Sequence, residues 1–262
     1  MPQAMNKNTV LEYDTFGDAA NPTVLLIMGF TAQMTGWPDD FCNQIAATGH
    51  HVVRFDNRDC GLSSKTGGDA PNVMQIMMAA MSGQAVGDVP YSLSDMADDA
   101  VAVLDALGID KAHVAGASMG GMITQQLAID HPERVASVIS IMSTTGSPAV
   151  GQANPAALTA LLSVPPSERS AAIKRNVELG RIISGPLFDE NLASAAATAA
   201  YDRSFYPTGA AFQMAAIAKT GDRTEALKQL PHRALVIHGQ ADPLITPSGG
   251  EATAPRSRPR PC

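Results

Sequence analysis

The stretch Val114-Ala115-Gly116-Ala117-Ser118-Met119-Gly120-Gly121 decides the fold of this chain. Residues 111–117 are short, apolar and partly β-branched, which is typical of a buried strand. Residues 119–130 carry apolar side chains at helical spacing. Between the two segments lies a G-x-S-x-G pattern with Ser118 at its centre. The stretch therefore predicts a strand, a tight turn and a helix, with Ser118 on the turn.

The same pattern indicates that Ser118 is a nucleophile. On a strained strand-to-helix turn, a serine hydroxyl is exposed at the edge of the sheet. Gly116 and Gly120 suit this turn because a side chain at either position would collide with the neighbouring strand or helix. The alternative is an ordinary glycine-rich turn, and the flanking strand and helix favour the functional interpretation.

Composition narrows the class of protein. The 262 residues allow one large α/β domain with an insertion, or two modest domains. A net charge of −7 argues against a nucleic-acid partner. No apolar run approaches the roughly 20 residues that span a bilayer. The 3 cysteines lack metal-ligand spacing, so we expect reduced thiols, a cytoplasmic location and neither metal nor cofactor.

Strands and helices alternate through the first half of the chain. Helical segments at residues 38–46, 92–107 and 119–130 separate the strands, and Val73–Met81 is a further, methionine-rich helical segment. This alternation predicts an α/β fold with a mostly parallel sheet, right-handed crossovers and helices on both faces. The predicted strands are residues 9–13, 23–28, 51–55, 111–117, 135–142 and 234–238.

Residues 143–229 interrupt the alternation with several helical stretches and no strong strand signal. Such a block between two sheet strands is typical of a cap over the carboxyl edge of the sheet, and additional scaffold helices are the alternative. We therefore predict a core from 1–142 and 230–254, a helical cap at 143–229, and a tail at 255–262 with a non-native composition.

Several motifs in a fixed order give the chain a family resemblance. It resembles the α/β-hydrolase family, and within that family the capped esterases similar to aclacinomycin methylesterase. The resemblance covers nearly the whole chain apart from the cap and the tail. The motifs are Met28-Gly29-Phe30, Gly36-Trp37-Pro38-Asp39, Asp56-Asn57-Arg58-Asp59, the G-x-S-x-G stretch, and His238-Gly239-Gln240-Ala241-Asp242-Pro243.

The resemblance implies a serine hydrolase that acts on a small, hydrophobic carboxylic ester through an acyl-enzyme. Ser118 would be the nucleophile and Asp242 the acid of the triad, because the family's order is serine, acid, histidine. The backbone N–H groups of Phe30 and Met119 would form the oxyanion hole. The alternative for Asp242 is a turn aspartate before Pro243.

The catalytic histidine of the family has no counterpart here. The family places this base on a loop after one further strand, whereas every histidine of this chain precedes Asp242. Only His238 is expected near the carboxyl edge of the sheet, and it matches the turn before the acid. We therefore expect impaired activity. The histidines are His50, His51, His113, His131, His232 and His238.

The composition of residues 255–262 suggests why the catalytic histidine has no counterpart. Alternating proline and arginine forms neither a helix nor a central strand. The run resembles a GC-rich gene translated in the wrong frame, so we expect a frameshift that removed roughly 30 residues, about one strand-and-helix unit. A natural disordered tail is the alternative. Loss of that unit would leave an open sheet edge prone to pairing.

Other functions remain open at this point. A lactonase, a C–C bond hydrolase or a cofactor-free haloperoxidase would share the same serine turn. A non-catalytic member that binds a ligand without a complete triad belongs to a different class. The sequence carries no signal for the oligomeric state.

Overall fold

A single sheet organises the computed structural model, which describes residues 2–82, 84 and 86–254. The predicted tail at 255–262 lies outside the described residues. Within them, the sheet has seven strands in the order β1-β2-β4-β3-β5-β6-β7. The strands are β1 Gln3–Asn6, β2 Thr9–Phe16, β3 Thr23–Ile27, β4 His51–Phe55, β5 Ala112–Ala117, β6 Val135–Ile141 and β7 Arg233–Ile237.

Strand direction confirms the predicted α/β class. From β4 to β7 every neighbouring pair is parallel, whereas β1 and β2 add an antiparallel hairpin at one side. Parallel strands end at the same edge of a sheet, so the loops after β3, β4, β5, β6 and β7 share one edge. Strand β1 was not predicted from the sequence.

Helices connect and cover the strands. The α-helices are α1 Asp39–Ala46, α2 Val73–Met81, α3 Leu93–Ala106, α4 Met119–Asp130, α5 Pro155–Leu162, α6 Arg169–Ile183, α7 Glu190–Arg203, α8 Gly209–Thr220, α9 Thr224–Leu227 and α10 Pro247–Thr253. Ser92 and Asp95 cap α3 reciprocally, as the S-x-x-D pattern predicts. No helix in the described part of the chain has the length and apolar character needed to cross a bilayer.

Both faces of β3 are buried, which explains its nearly uninterrupted apolar run. Successive residues of β3 point to opposite faces. Leu25 and Ile27 join a large core cluster with α3 and α4. Val24 and Leu26 join a second cluster around Trp37. The predicted helices on both faces are therefore confirmed.

Helices α5 to α9 occupy the predicted cap segment, and its described residues contain no strand. One of these helices is built into the core. Phe212 of α8 is 1% exposed and belongs to the large core cluster, together with Ala216. The core therefore fixes the position of helix α8. The division into core and cap remains a prediction.

Strand β7 lies at one end of the strand order. In the described residues it pairs only with β6, and two of its apolar side chains are half-exposed: Leu235 is 54% exposed and Ile237 is 48% exposed. Edge strands with apolar side chains and unpaired backbone groups template pairing with other chains.

We expect Leu235→Lys to slow aggregation, because a lysine on an edge strand disfavours pairing with another strand. Light scattering during incubation at fixed protein concentration measures the effect. The matched control is Leu192→Lys, since Leu192 is 71% exposed but lies on helix α7. Equal suppression by both variants would show that general surface apolarity, and not the strand edge, drives aggregation.

Candidate active site

The turn between β5 and α4 holds Ser118 in an uncommon backbone conformation. Its φ is +56° and its ψ is −118°, a region that residues other than glycine seldom occupy. Two hydrogen bonds hold it there: the Ser118 N–H donates to the Ile141 carbonyl at 2.8 Å, and the Ser143 hydroxyl donates to the Ser118 carbonyl at 2.8 Å. Backbone strain that surrounding contacts hold in place in this way is typical of functional sites.

Close backbone contacts around this turn exclude side chains. A Cβ on Gly116 would overlap the Gly120 carbonyl, and a Cβ on Gly120 would overlap the Ile27 carbonyl at the end of β3. A Cβ on Gly121 would lie 2.6 Å from the Cβ of Ser143. The glycines of the motif are therefore required by the approach of strand, turn and helix.

The loop after β3 approaches Ser118 directly. A Cβ on Gly29 would lie 2.9 Å from the Ala117 carbonyl oxygen and 3.1 Å from the Cβ of Ser118. Phe30 follows immediately. In the described part of the chain, neither the Phe30 N–H nor the Met119 N–H has a hydrogen-bond acceptor. In the described residues, two amide donors without an acceptor thus belong to the segments that meet at Ser118.

Side chains from distant segments hold the loop after β3. Asn57 donates to the Met28 carbonyl at 2.8 Å. Gln213 of α8 accepts from the Thr31 N–H at 2.8 Å. The Cys60 thiol donates to the Thr31 carbonyl at 3.2 Å. None of these contacts was predicted, because the partners are far apart in sequence and follow no local pattern.

A buried ion pair closes the same region. Asp56, which is fully buried, lies 2.8 Å from Arg203 at the end of α7. The Asp56 carboxylate also accepts the N–H groups of Met34 and Leu62. Arg203 donates in addition to Gln33 at 2.7 Å. This ion pair therefore joins the loop after β4 to the segment predicted as a cap.

Arg58 and Asp99 form a second buried pair, at 2.6 Å. Burial raises the pKa of Asp99, and the hydrogen bonds from Arg58 oppose that rise. Asp59 accepts instead from the hydroxyls of Tyr91 and Thr66. These contacts fix the turn after β4 beside the loop that carries Phe30.

The thiol nearest to the site is not a competing nucleophile. Cys60 is 4% exposed, and burial raises its pKa to about 12, with a further contribution from Asp56. The reactive form of cysteine is the thiolate, which such a pKa suppresses at neutral pH. Ser118, by contrast, is partly exposed at the carboxyl edge of the sheet.

Asp242 lies on the loop after β7, at the same edge of the sheet as Ser118. One carboxylate oxygen accepts the N–H groups of Leu244 and Ile245, each at 2.9 Å. The other lies 3.6 Å from His238 Nε2. These contacts fix the carboxylate on its own loop. In the described residues, no hydrogen bond joins it to Ser118.

His238 is the one histidine at the carboxyl edge. Its Nε2 donates to the Ile245 carbonyl at 2.6 Å, and its Nδ1 is buried without a partner beside Gly250. The other five histidines begin strands or lie in the turns before them, at the opposite edge. Among the described residues, no histidine is hydrogen-bonded to Ser118.

The sequence profile of the alpha/beta hydrolase fold matches residues 22–257, nearly the whole chain. The chain belongs to this family. The match includes both Ser118 on its strained turn and Asp242 after β7, so the two residues occupy the alpha/beta hydrolase framework. In the described residues, no group of three or more histidine, cysteine or acidic side chains is arranged to hold a metal ion.

Two curated relatives are named as an esterase and a hydrolase. Rhodomycin D methylesterase DauP of Streptomyces sp. (strain C5) is 40% identical over 119 residues, 45% of this chain and 34% of that protein. The 2-hydroxymuconate semialdehyde hydrolase of Pseudomonas sp. (strain CF600) is 32% identical over 167 residues, 60% of this chain and 55% of that protein. The chain thus spans about a third to a half of these curated relatives.

Solved structures agree on the fold of this alpha/beta hydrolase. The enol-lactonase from Burkholderia xenovorans LB400 superimposes with a TM-score of 0.71 at 23% identity, covering 97% of this chain and 86% of that one. At this level of identity the similarity shows a shared architecture alone.

We expect Gly120→Ala to lower the free energy of unfolding by about 1–3 kcal/mol, because overpacking forces the backbone apart. Gly67→Ala is the matched control, since a Cβ on Gly67 meets nothing within 4 Å. Urea unfolding followed by circular dichroism measures both. Equal stability of the two variants would contradict the close approach of α4 to β3.

Proposed function

We propose that this alpha/beta hydrolase is a serine hydrolase of carboxylic esters that acts through an acyl-enzyme. The observation that carries the proposal is the setting of Ser118. The Ser118 backbone is held at a φ of +56°. It lies next to a loop and a helix start whose amide donors have no acceptor in the described residues.

The proposed chemistry follows from this geometry. The Ser118 oxygen attacks the ester carbonyl carbon, and its proton passes to a base. The carbonyl oxygen gains negative charge and accepts hydrogen bonds from the Phe30 and Met119 N–H groups, each of which is worth about 3 kcal/mol in such a site. The alcohol leaves after protonation, and water then hydrolyses the acyl-serine.

Asp242 is proposed as the acid that orients the base. It follows β7, two strands away from the strand that precedes Ser118, and adjacent strands lie about 4.8 Å apart. The resulting separation of roughly 10 Å leaves room for one imidazole between the hydroxyl and the carboxylate. Two N–H donors, from Leu244 and Ile245, hold the Asp242 carboxylate on its loop.

Among the described residues, no histidine is well placed to act as the base. Both nitrogens of His238 are directed to its own loop and to α10, and the other histidines lie at the opposite edge. We therefore propose that this sequence hydrolyses esters slowly. Loss of one triad member lowers kcat by a factor of about 10⁴ or more.

The substrate class rests on relatives. The similarity to a methylesterase supports a small, hydrophobic ester, and the similarity to a semialdehyde hydrolase supports cleavage of a C–C bond as the second candidate. Both reactions use an attack on a carbonyl group. The buried, free thiols of Cys42 and Cys60 support a cytoplasmic location.

We expect Ser118→Ala to abolish labelling by a fluorophosphonate and to reduce hydrolysis of p-nitrophenyl acetate to the buffer rate, because the nucleophile is removed. Ser147→Ala, on the loop after β6, is the control and should behave as the wild type. Intact-protein mass spectrometry measures the label. A wild-type chain that binds an ester tightly and reversibly without labelling would favour a non-catalytic binding protein.

His238→Gln is expected to keep the ester hydrolysis rate of the wild type, because the glutamine amide can still donate to the Ile245 carbonyl. Initial rates with p-nitrophenyl acetate across pH 5–9 measure this. Hydrolysis at the rate of an ordinary esterase, lost in the variant by a factor of about 10⁴, would identify His238 as the base and refute the proposed impairment.

A further inference from the structure

Gln213 is a fully buried side chain that the proposed chemistry does not use. It lies on α8, between core residues Phe212 and Ala216. Its Oε1 accepts the Thr31 N–H at 2.8 Å, and its Nε2 donates to the Arg58 carbonyl at 2.9 Å. One amide side chain thus joins the loop after β3 to the loop after β4.

The Thr31 end of this bridge controls the conformation beside Phe30. Thr31 has a φ of +57°, which a threonine rarely adopts. Its N–H belongs to the peptide bond that directly follows Phe30, so holding that peptide plane restricts the rotation of the Phe30 backbone. On the other side, Asn57 holds the Met28 carbonyl at 2.8 Å. Phe30 is therefore clamped from both sides.

The Arg58 end supplies the rigidity. The Arg58 guanidinium pairs with Asp99 at 2.6 Å and lies over the Tyr91 ring at 4.8 Å. Helix α8 itself packs so closely that a Cβ on Gly209 would overlap the Asp59 carbonyl. Because both supports are fixed by the core, Gln213 cannot follow a moving loop and instead holds the loop in place.

We propose that Gln213 is a positioning residue that orients the Phe30 N–H toward the reacting carbonyl oxygen. The inference rests on the proposed ester hydrolysis and adds to it a group from the segment predicted as a cap. The bridge joins distant parts of the chain, since Thr31 and Gln213 are 182 positions apart. Removing the bridge lets the donor rotate away while the ester still binds.

Two substitutions separate positioning from simple structural support. Gln213→Leu removes both hydrogen bonds at similar volume. Gln213→Glu keeps the acceptor for the Thr31 N–H and loses the donor to the Arg58 carbonyl. Gln229→Leu, at an exposed glutamine after α9, is the control for the same chemical change.

We expect Gln213→Leu to lower kcat for p-nitrophenyl acetate by about 10- to 100-fold with little change in KM, less than the complete loss of an oxyanion donor. Gln213→Glu should recover most of this loss, and more of it at low pH, where a neutral glutamic acid can donate to the Arg58 carbonyl. The Gln229→Leu rates should equal the wild-type rates. A rise in KM equal to the loss in kcat, or no recovery in Gln213→Glu, would overturn the proposal.

Amide hydrogen exchange gives a readout that needs no catalysis. The Thr31 amide should exchange faster in Gln213→Leu and at the wild-type rate in Gln213→Glu. Unchanged exchange in Gln213→Leu would refute the bridge. If the wild type hydrolyses no ester, the proposed function fails, and the exchange rates alone then decide whether Gln213 holds this loop. A Gln213→Leu variant that does not fold leaves the decision to Gln213→Glu.

Discussion

The site depends on backbone segments that approach one another too closely for any side chain. The end of β3, the turn before α4 and the first turn of that helix meet where Gly29, Gly116 and Gly120 have no Cβ. At this contact Ser118 has its positive φ, the loop of Phe30 lies beside it, and α4 begins and packs against the sheet. The close packing at these glycines therefore also fixes the backbone position of Ser118.

Buried polar contacts convert this packing into a defined loop shape. The loop after β3 has little regular structure, so its backbone groups need partners from elsewhere. Asn57, Cys60 and Gln213 supply them, and Asp56 with Arg203 closes the adjacent turn. Such pairs are costly to break, because removal of one member leaves a buried group unpaired. The loop after β3 thus takes its shape from side chains of distant segments.

Local patterns predicted most of the framework. A continuous apolar run predicted β3, helical spacing predicted α4, and the reciprocal pattern of Ser92 and Asp95 predicted the start of α3. The hairpin strand β1 escaped because its four residues, Gln-Ala-Met-Asn, are short and mixed in polarity. The turn of Ser118 was predictable because Gly116 and Gly120 lie close to it in sequence.

The contacts around the site were not predictable in the same way. A glutamine in the alanine-rich sequence of α8 has no local feature that distinguishes it from a surface residue. Its partner Thr31 is 182 positions away, and only the folded chain brings the two together. The same holds for Arg203 and Asp56, because from the sequence alone each charge could pair with many partners. Long-range polar pairing is decided by topology, which composition and periodicity do not encode.

The contacts of Arg203 and Gln213 limit how modular the segment 143–229 can be. Two of its helices reach into the core with one cation and one amide, and each satisfies a group that belongs to the framework. Recombination that replaced this segment wholesale would leave a carboxylate and an amide hydrogen stranded in the interior. Exchange of the whole segment therefore requires replacements for both contacts, whereas point changes elsewhere on its helices do not.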